Sequence, residues 1–239
     1  MNNYLLLATS IILHWGVQAC AFSLNEVRPI VSLGVFNADP GKTQHINIID
    51  LIGNEYTTTK NSTEHFLFGV GYFLHEFDKG DLSLFYGING FYLSKTTTKG
   101  AVIQEGMFYN LSYQYKTSNL PIYASAKAVI KNDGEQYALV MDAGIGPNFM
   151  KTSNYNENSL DGGITIPDHA FLNETNTQFS ATAGLGIRLN HFWNKAPIEL
   201  AYRFFYLGQG ELNPRTTQIL DSLKTGNNYA NSLVLSVVL

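Results

Sequence analysis

At 239 residues the chain suits one domain, and no change of composition marks a linker. Charged residues are only 14 % of it, against roughly 25 % in ordinary soluble domains, while aromatics reach 13 % and glycine is abundant. The net charge of -4 leaves no basic footprint for nucleic acid.

The first element is a leader. Residues 4–17 are apolar but too short to cross a bilayer as a helix, and they stand where a secretory hydrophobic region belongs. Ala19 and Ala21 flank Cys20 in a small-x-small pattern, which predicts a signal peptide over 1–21 and a mature chain from Phe22, although the preceding MNNY carries no Lys or Arg. The alternative is a lipobox over 17–20 with Cys20 acylated. Cleavage after Ala21 removes the only cysteine, and with it any disulfide, zinc-thiolate or cysteine-nucleophile chemistry.

Beyond the leader the dominant signal is a period of two, which only a strand presents. Residues 28–36 set Val31, Leu33 and Val35 against Ser32, Gly34 and Phe36, with Pro29 at a strand start. A long polar segment, 38–63, is expected to project as a loop carrying its own hairpin, 44–49 against 55–59 around Gly53-Asn54. The second strand, 64–74, alternates Phe66, Phe68, Val70 and Tyr72 with His65, Leu67, Gly69 and Gly71, and a turn over 77–80 leads to the third. There Leu82, Leu84, Tyr86, Ile88 and Tyr92 oppose Ser83, Phe85, Gly87, Asn89 and Phe91 before a polar run, 94–107, expected as an exposed loop.

Residues 108–131 are one kinked strand or two strands separated by a turn at Asn119-Leu120-Pro121. Counting favours one: the total is then eight, and the short turns at 77–80, 131–134 and 191–197 share one side while the loops 38–63, 94–107, 151–175 and 213–227 share the other. Bacterial barrels have even strand numbers, short periplasmic turns and long extracellular loops. The fifth strand starts at Tyr137, residues 176–212 form a long hairpin supplying the sixth and seventh, and 228–239 close the set. Alternation alone does not say which face meets lipid. Arms longer than the roughly 9 to 11 residues needed to span a bilayer, with an uncharged apolar face, predict an all-β, antiparallel, up-and-down transmembrane barrel over 22–239.

On its predicted inner face lie Lys127, Asp142, Arg188, Glu199 and Arg203. A narrow barrel is nearly filled by side chains, so these five charges are expected to pair as a structural polar network. The competing reading has them set the selectivity of a narrow pore. Six histidines show no metal-ligand spacing and no hydrolase motif, so no catalytic, metal or cofactor site is expected. The pairs Gly69/Gly71, Gly144/Gly146 and Gly184/Gly186 lack the helix of a phosphate loop and read as places where small residues admit large neighbours.

The run from Ala183 to Arg188, the short turn with Trp193, the run from Ala201 to Phe204 followed by Gly208-Gln209-Gly210, and the closing strand resemble the small eight-stranded outer-membrane barrels of the OmpA, OmpX and opacity type. The terminal Leu239 departs from the aromatic residue usual there. The resemblance implies an outer-membrane, non-enzymatic, monomeric protein in contact with lipid and lipopolysaccharide, with a structural or adhesin-like role through loops that meet a host or surface protein. A narrow pore, a lipid A-modifying enzyme and a soluble lipocalin-like carrier are the alternatives.

Overall fold

Strands that alternate in this way bury their small and polar edges against one another only if the sheet curls until it meets itself. The computed structural model shows this closure; it describes residues 27–38, 40–59, 63–132, 136–193 and 196–239, so the expected signal peptide lies outside the described residues. The described strands are β1 (Val27–Ala38), β2 (Gln44–Ile46), β3 (Asn54–Tyr56), β4 (Glu64–Lys79), β5 (Leu82–Gln104), β6 (Phe108–Lys131), β7 (Tyr137–Ser159), β8 (Phe171–Leu172), β9 (Thr175–Trp193), β10 (Ala196–Gly208), β11 (Glu211–Pro214), β12 (Leu223–Lys224) and β13 (Asn228–Val238).

Eight of them form a closed antiparallel ring in the order β1, β4, β5, β6, β7, β9, β10, β13. Closure runs from Ile30 against Val238 to Ala38 against Ala230, which leaves the ring no open edge. The segment from Phe108 to Lys131 is a single strand, so the count of eight stands. Pro121 fits because it pairs with Asn148 on the β7 side, while the β5 ladder skips from Gly90↔Ile122 to Leu93↔Asn119, where proline has no N–H to give.

The apolar face points outward. Leu33, Phe66, Ile145, Phe179, Leu185, Leu200 and Leu233 are each more than half exposed, whereas the small and polar partners between them face in. From Leu84 to Tyr92 on β5 this band is nine residues tall, the length of a tilted membrane strand. A carrier of lipocalin type needs the reverse arrangement, with the apolar face inside.

Three strands outgrow the membrane. β5, β6 and β7 have 23, 24 and 23 residues, against 12 in β1 and 11 in β13. The expected loop 94–107 is therefore largely wall: strand continues through Gln104, and only the short turn at 105–107 is loop. Its β-branched threonines alternate, with Thr96 and Thr98 buried between the exposed Lys95 and Lys99. Residues 151–159 likewise belong to β7, and 213–214 and 223–224 to β11 and β12. The β2–β3 hairpin does not stand free; β3 pairs with β5 at 102–104, beyond the stretch that β4 pairs, and extends the wall.

Candidate functional site

Taken around the ring, the buried apolar side chains of the lumen gather into two layers. Near the short turns Ile30, Phe73, Phe85, Val129, Val140 and Val238 form one layer. Toward the long-loop end Phe36, Leu67, Phe91, Tyr123, Met150 and Phe205 form another, with the Phe91 and Phe205 rings edge-to-face at 5.3 Å. All five predicted charges lie between them, each at most 8 % exposed.

Register and reach sort these charges into two groups. Glu199 faces Arg188 directly across β10 and β9, and Arg188 donates to its Oε1 from Nε at 3.0 Å and from Nη2 at 2.5 Å. Lys127 is opposite Asp142 in the β6–β7 ladder, yet its ammonium crosses the lumen to Glu199 Oε2 at 2.8 Å. That leaves Asp142 to Arg203, whose Nη2 lies 2.6 Å from Oδ1 and donates at 2.7 Å to Oδ2. Each cation also sits over an aromatic face: Lys127 over Phe73 at 4.5 Å, Arg203 over Phe91 at 5.0 Å and Arg188 over Phe85 at 5.9 Å.

The second ion pair depends on an absent side chain. Gly184 lies between the partners, paired with Asp142 on one side and Arg203 on the other. A Cβ there would stand 2.8 Å from Asp142 Oδ2 and 3.1 Å from Arg203 Nη2. Gly184→Val is therefore expected to cost on the order of 3 kcal/mol by separating a buried pair, read as a lower urea midpoint of the refolded barrel. A midpoint unchanged from wild type would show that the pair has room to rearrange.

At the other end the loops fold into a second core that sequence reasoning missed. Ile46, Tyr56, Val102, Leu111, Tyr113, Tyr115, Phe171, Leu212 and Leu223 pack together inside the tall β5–β7 wall. Glu157, 3 % exposed, is its polar pin: it accepts from the hydroxyls of Tyr155 and Tyr56 and from the backbone N–H of His169 at 2.8 Å. Burial first, and then the Glu157 carboxylate beside Tyr56 and the Tyr56 phenol and Glu157 beside Tyr155, push both tyrosines well above the ordinary phenol range. The period-two tyrosines 113 and 115 were the available signal, but nothing in the chain's local pattern says that four loops converge on them.

Loops one and four are clamped together above this core. Asp221 accepts from Asn47 N at 2.9 Å and Nδ2 at 2.7 Å, and these bonds hold its carboxyl below the usual range. A depressed carboxylate stabilises the fold above its unfolded pKa of about 3.9 and loses that contribution as pH falls through the folded value. Amide exchange at Asn47 should therefore accelerate below about pH 4, and Asp221→Asn should abolish that acid dependence; a pH-independent rate would show that the clamp is not closed.

A closed eight-stranded ring with an uncharged apolar exterior, a filled polar lumen and long strands rising on one side defines an integral outer-membrane β-barrel. No protein-family model matches the chain, and no curated protein matches it. Among solved structures it is similar to the outer membrane protease OmpT of Escherichia coli, with 8 % identity over 92 % of this chain and 97 % of that one at a TM-score of 0.48. It is also similar to the outer membrane protein OprG of Pseudomonas aeruginosa, with 12 % identity, 88 % and 93 % coverage and a TM-score of 0.46. Neisserial surface protein A shares 12 % identity, with 87 % and 96 % coverage and a TM-score of 0.38. Each likeness is one of fold.

Proposed function

We propose that the protein is a non-enzymatic, monomeric outer-membrane scaffold, set among lipid and lipopolysaccharide, that presents a surface-interaction face at its extracellular end. The carrying observation is a crown of exposed apolar side chains held on hydrogen-bonded loops: Ile52, Met107, Phe108, Tyr109, Ile164 and Ile166 are between 56 % and 85 % exposed. Ile52 N donates to Glu105 Oε2 at 2.9 Å, Leu160 N to the Asn110 carbonyl at 2.8 Å, and Asn110 Nδ2 to Thr165 Oγ1 at 2.9 Å, so the tips of three loops are tied side by side. A water-facing apolar group of this size gains only by being covered, and rigid tips lose little entropy when they are. The five lumen charges serve this reading as a register-fixing network between two apolar layers rather than as a conducting path.

The test is adhesion of expressing cells to epithelial monolayers, comparing wild type with the triple variant Met107→Ser, Phe108→Ser and Ile164→Ser at equal surface level. At least a fivefold fall in the variant is expected. Equal adhesion would remove the surface-interaction role, and steady single-channel conductance of the wild type in planar bilayers would favour the pore.

A further inference from the structure

At the end of the barrel that carries the short turns, the lumen opens into a cavity of about 320 Å³. Its wall carries Arg28, His75, Lys131 and Arg188 together with Ser83 and Asn190, and among the described lining residues Asp78 is the one acid. That acid is already engaged, with His75 Nε2 at 3.0 Å and the Ser83 hydroxyl at 2.5 Å. Asp81 occupies the adjoining turn, where its carbonyl accepts from Lys131 N at 2.8 Å.

Two independent features point at what the cavity takes. Between the apolar layers, three cations, Lys127, Arg188 and Arg203, face two carboxylates, Asp142 and Glu199. Glu199 serves two cations at once, so the enclosed network carries one positive charge more than it compensates. A buried excess charge is costly unless an opposite charge comes close. Arg188 is the one of these three cations that lines this cavity, although it is only 6 % exposed.

The second feature is preorganisation. The Phe85 ring has the Arg28 guanidinium 5.6 Å from its centroid and that of Arg188 at 5.9 Å, which fixes two guanidinium groups about one ring at the mouth. Guanidinium forks match the paired oxygens of phosphate and carboxylate groups. The volume is at the small end of ordinary ligand sites, sufficient for one such headgroup and part of what bears it.

We infer that this periplasmic vestibule is an oxyanion-binding site, in which Arg28, Arg188 and Lys131 hold a phosphate or carboxylate group that completes the charge balance of the lumen. Occupancy then stabilises the barrel by mass action.

The experiment is thermal unfolding of the refolded full chain in maltoside micelles, titrated with inorganic phosphate at constant ionic strength against chloride. A saturable rise is expected, about 5 to 10 °C at a hundredfold excess over Kd. It should vanish in Arg28→Gln/Lys131→Gln, whose exposed side chains are outside the buried network, and persist in the charge-matched control Lys95→Gln/Lys99→Gln on β5. In nanodiscs of phosphatidylethanolamine, a persistent phosphate response assigns the site to a soluble periplasmic oxyanion, and its loss assigns it to a phospholipid headgroup. No response beyond chloride in micelles, or an equal response in the double variant, overturns the site.

Discussion

Glu199→Gln is expected to destabilise the barrel by about 3–5 kcal/mol, the usual cost of removing one partner from a buried ion pair. The amide keeps the volume of the side chain but withdraws the carboxylate that both Lys127 Nζ and Arg188 Nη2 contact. Both cations are more than nine-tenths buried, so water does not replace what is lost. Replacing the whole group, with Lys127→Met, Arg188→Leu and Glu199→Leu, should recover most of the loss, because an apolar cluster has no desolvation cost to offset. Reversible urea unfolding in lipid vesicles measures both. A Glu199→Gln midpoint within error of wild type would mean that the lumen is wet enough to screen its charges, and would weaken the oxyanion site as well.

The membrane part of this architecture was readable from the sequence because each of its determinants is local. Alternation of Phe66, Phe68 and Val70 with Leu67 and Gly69 fixes both the strand and its faces, and the polar side chains on the inner parity name the lumen charges directly. The partners were less legible. Asp142 and Lys127 are opposed in register, yet they bond elsewhere, because the lumen is narrow enough for a long side chain to reach a strand on the far wall. The extracellular half was misread for a related reason. Polar, threonine-rich residues 94–100 resemble loop by composition, and only the packing of distant segments against them makes strand the better state. The bonds from Thr96 Oγ1 to the Thr117 carbonyl and from Thr98 Oγ1 to the Pro40 carbonyl span 21 and 58 residues, respectively. No window of the size that sets a strand or a turn contains both ends of the longer one.

Phe171→Ala should collapse the extracellular core while leaving the barrel beneath it folded. Phe171 is 1 % exposed and meets Tyr56 and Tyr155 edge-to-face, each at 5.5 Å, so its loss opens a cavity at the centre of the cluster and is expected to cost about 3–5 kcal/mol. The loop that carries it is held by single hydrogen bonds rather than by a long ladder: β8 is two residues long and pairs with β11, Glu157 accepts from His169 N and Ala170 N, and Arg215 donates to the carbonyls of His169 and Ala170. The wall strands, by contrast, keep every ladder bond of the ring. Local opening should therefore absorb the loss, since such regions unfold separately from the element of global stability. Limited proteolysis of intact cells should reveal new cleavage between residues 160 and 175, whereas the mobility shift between boiled and unboiled barrel on a gel stays at the wild-type value. Loss of the gel shift together with the cleavage would show one cooperative unit, with the loops helping to hold the ring closed rather than resting on it.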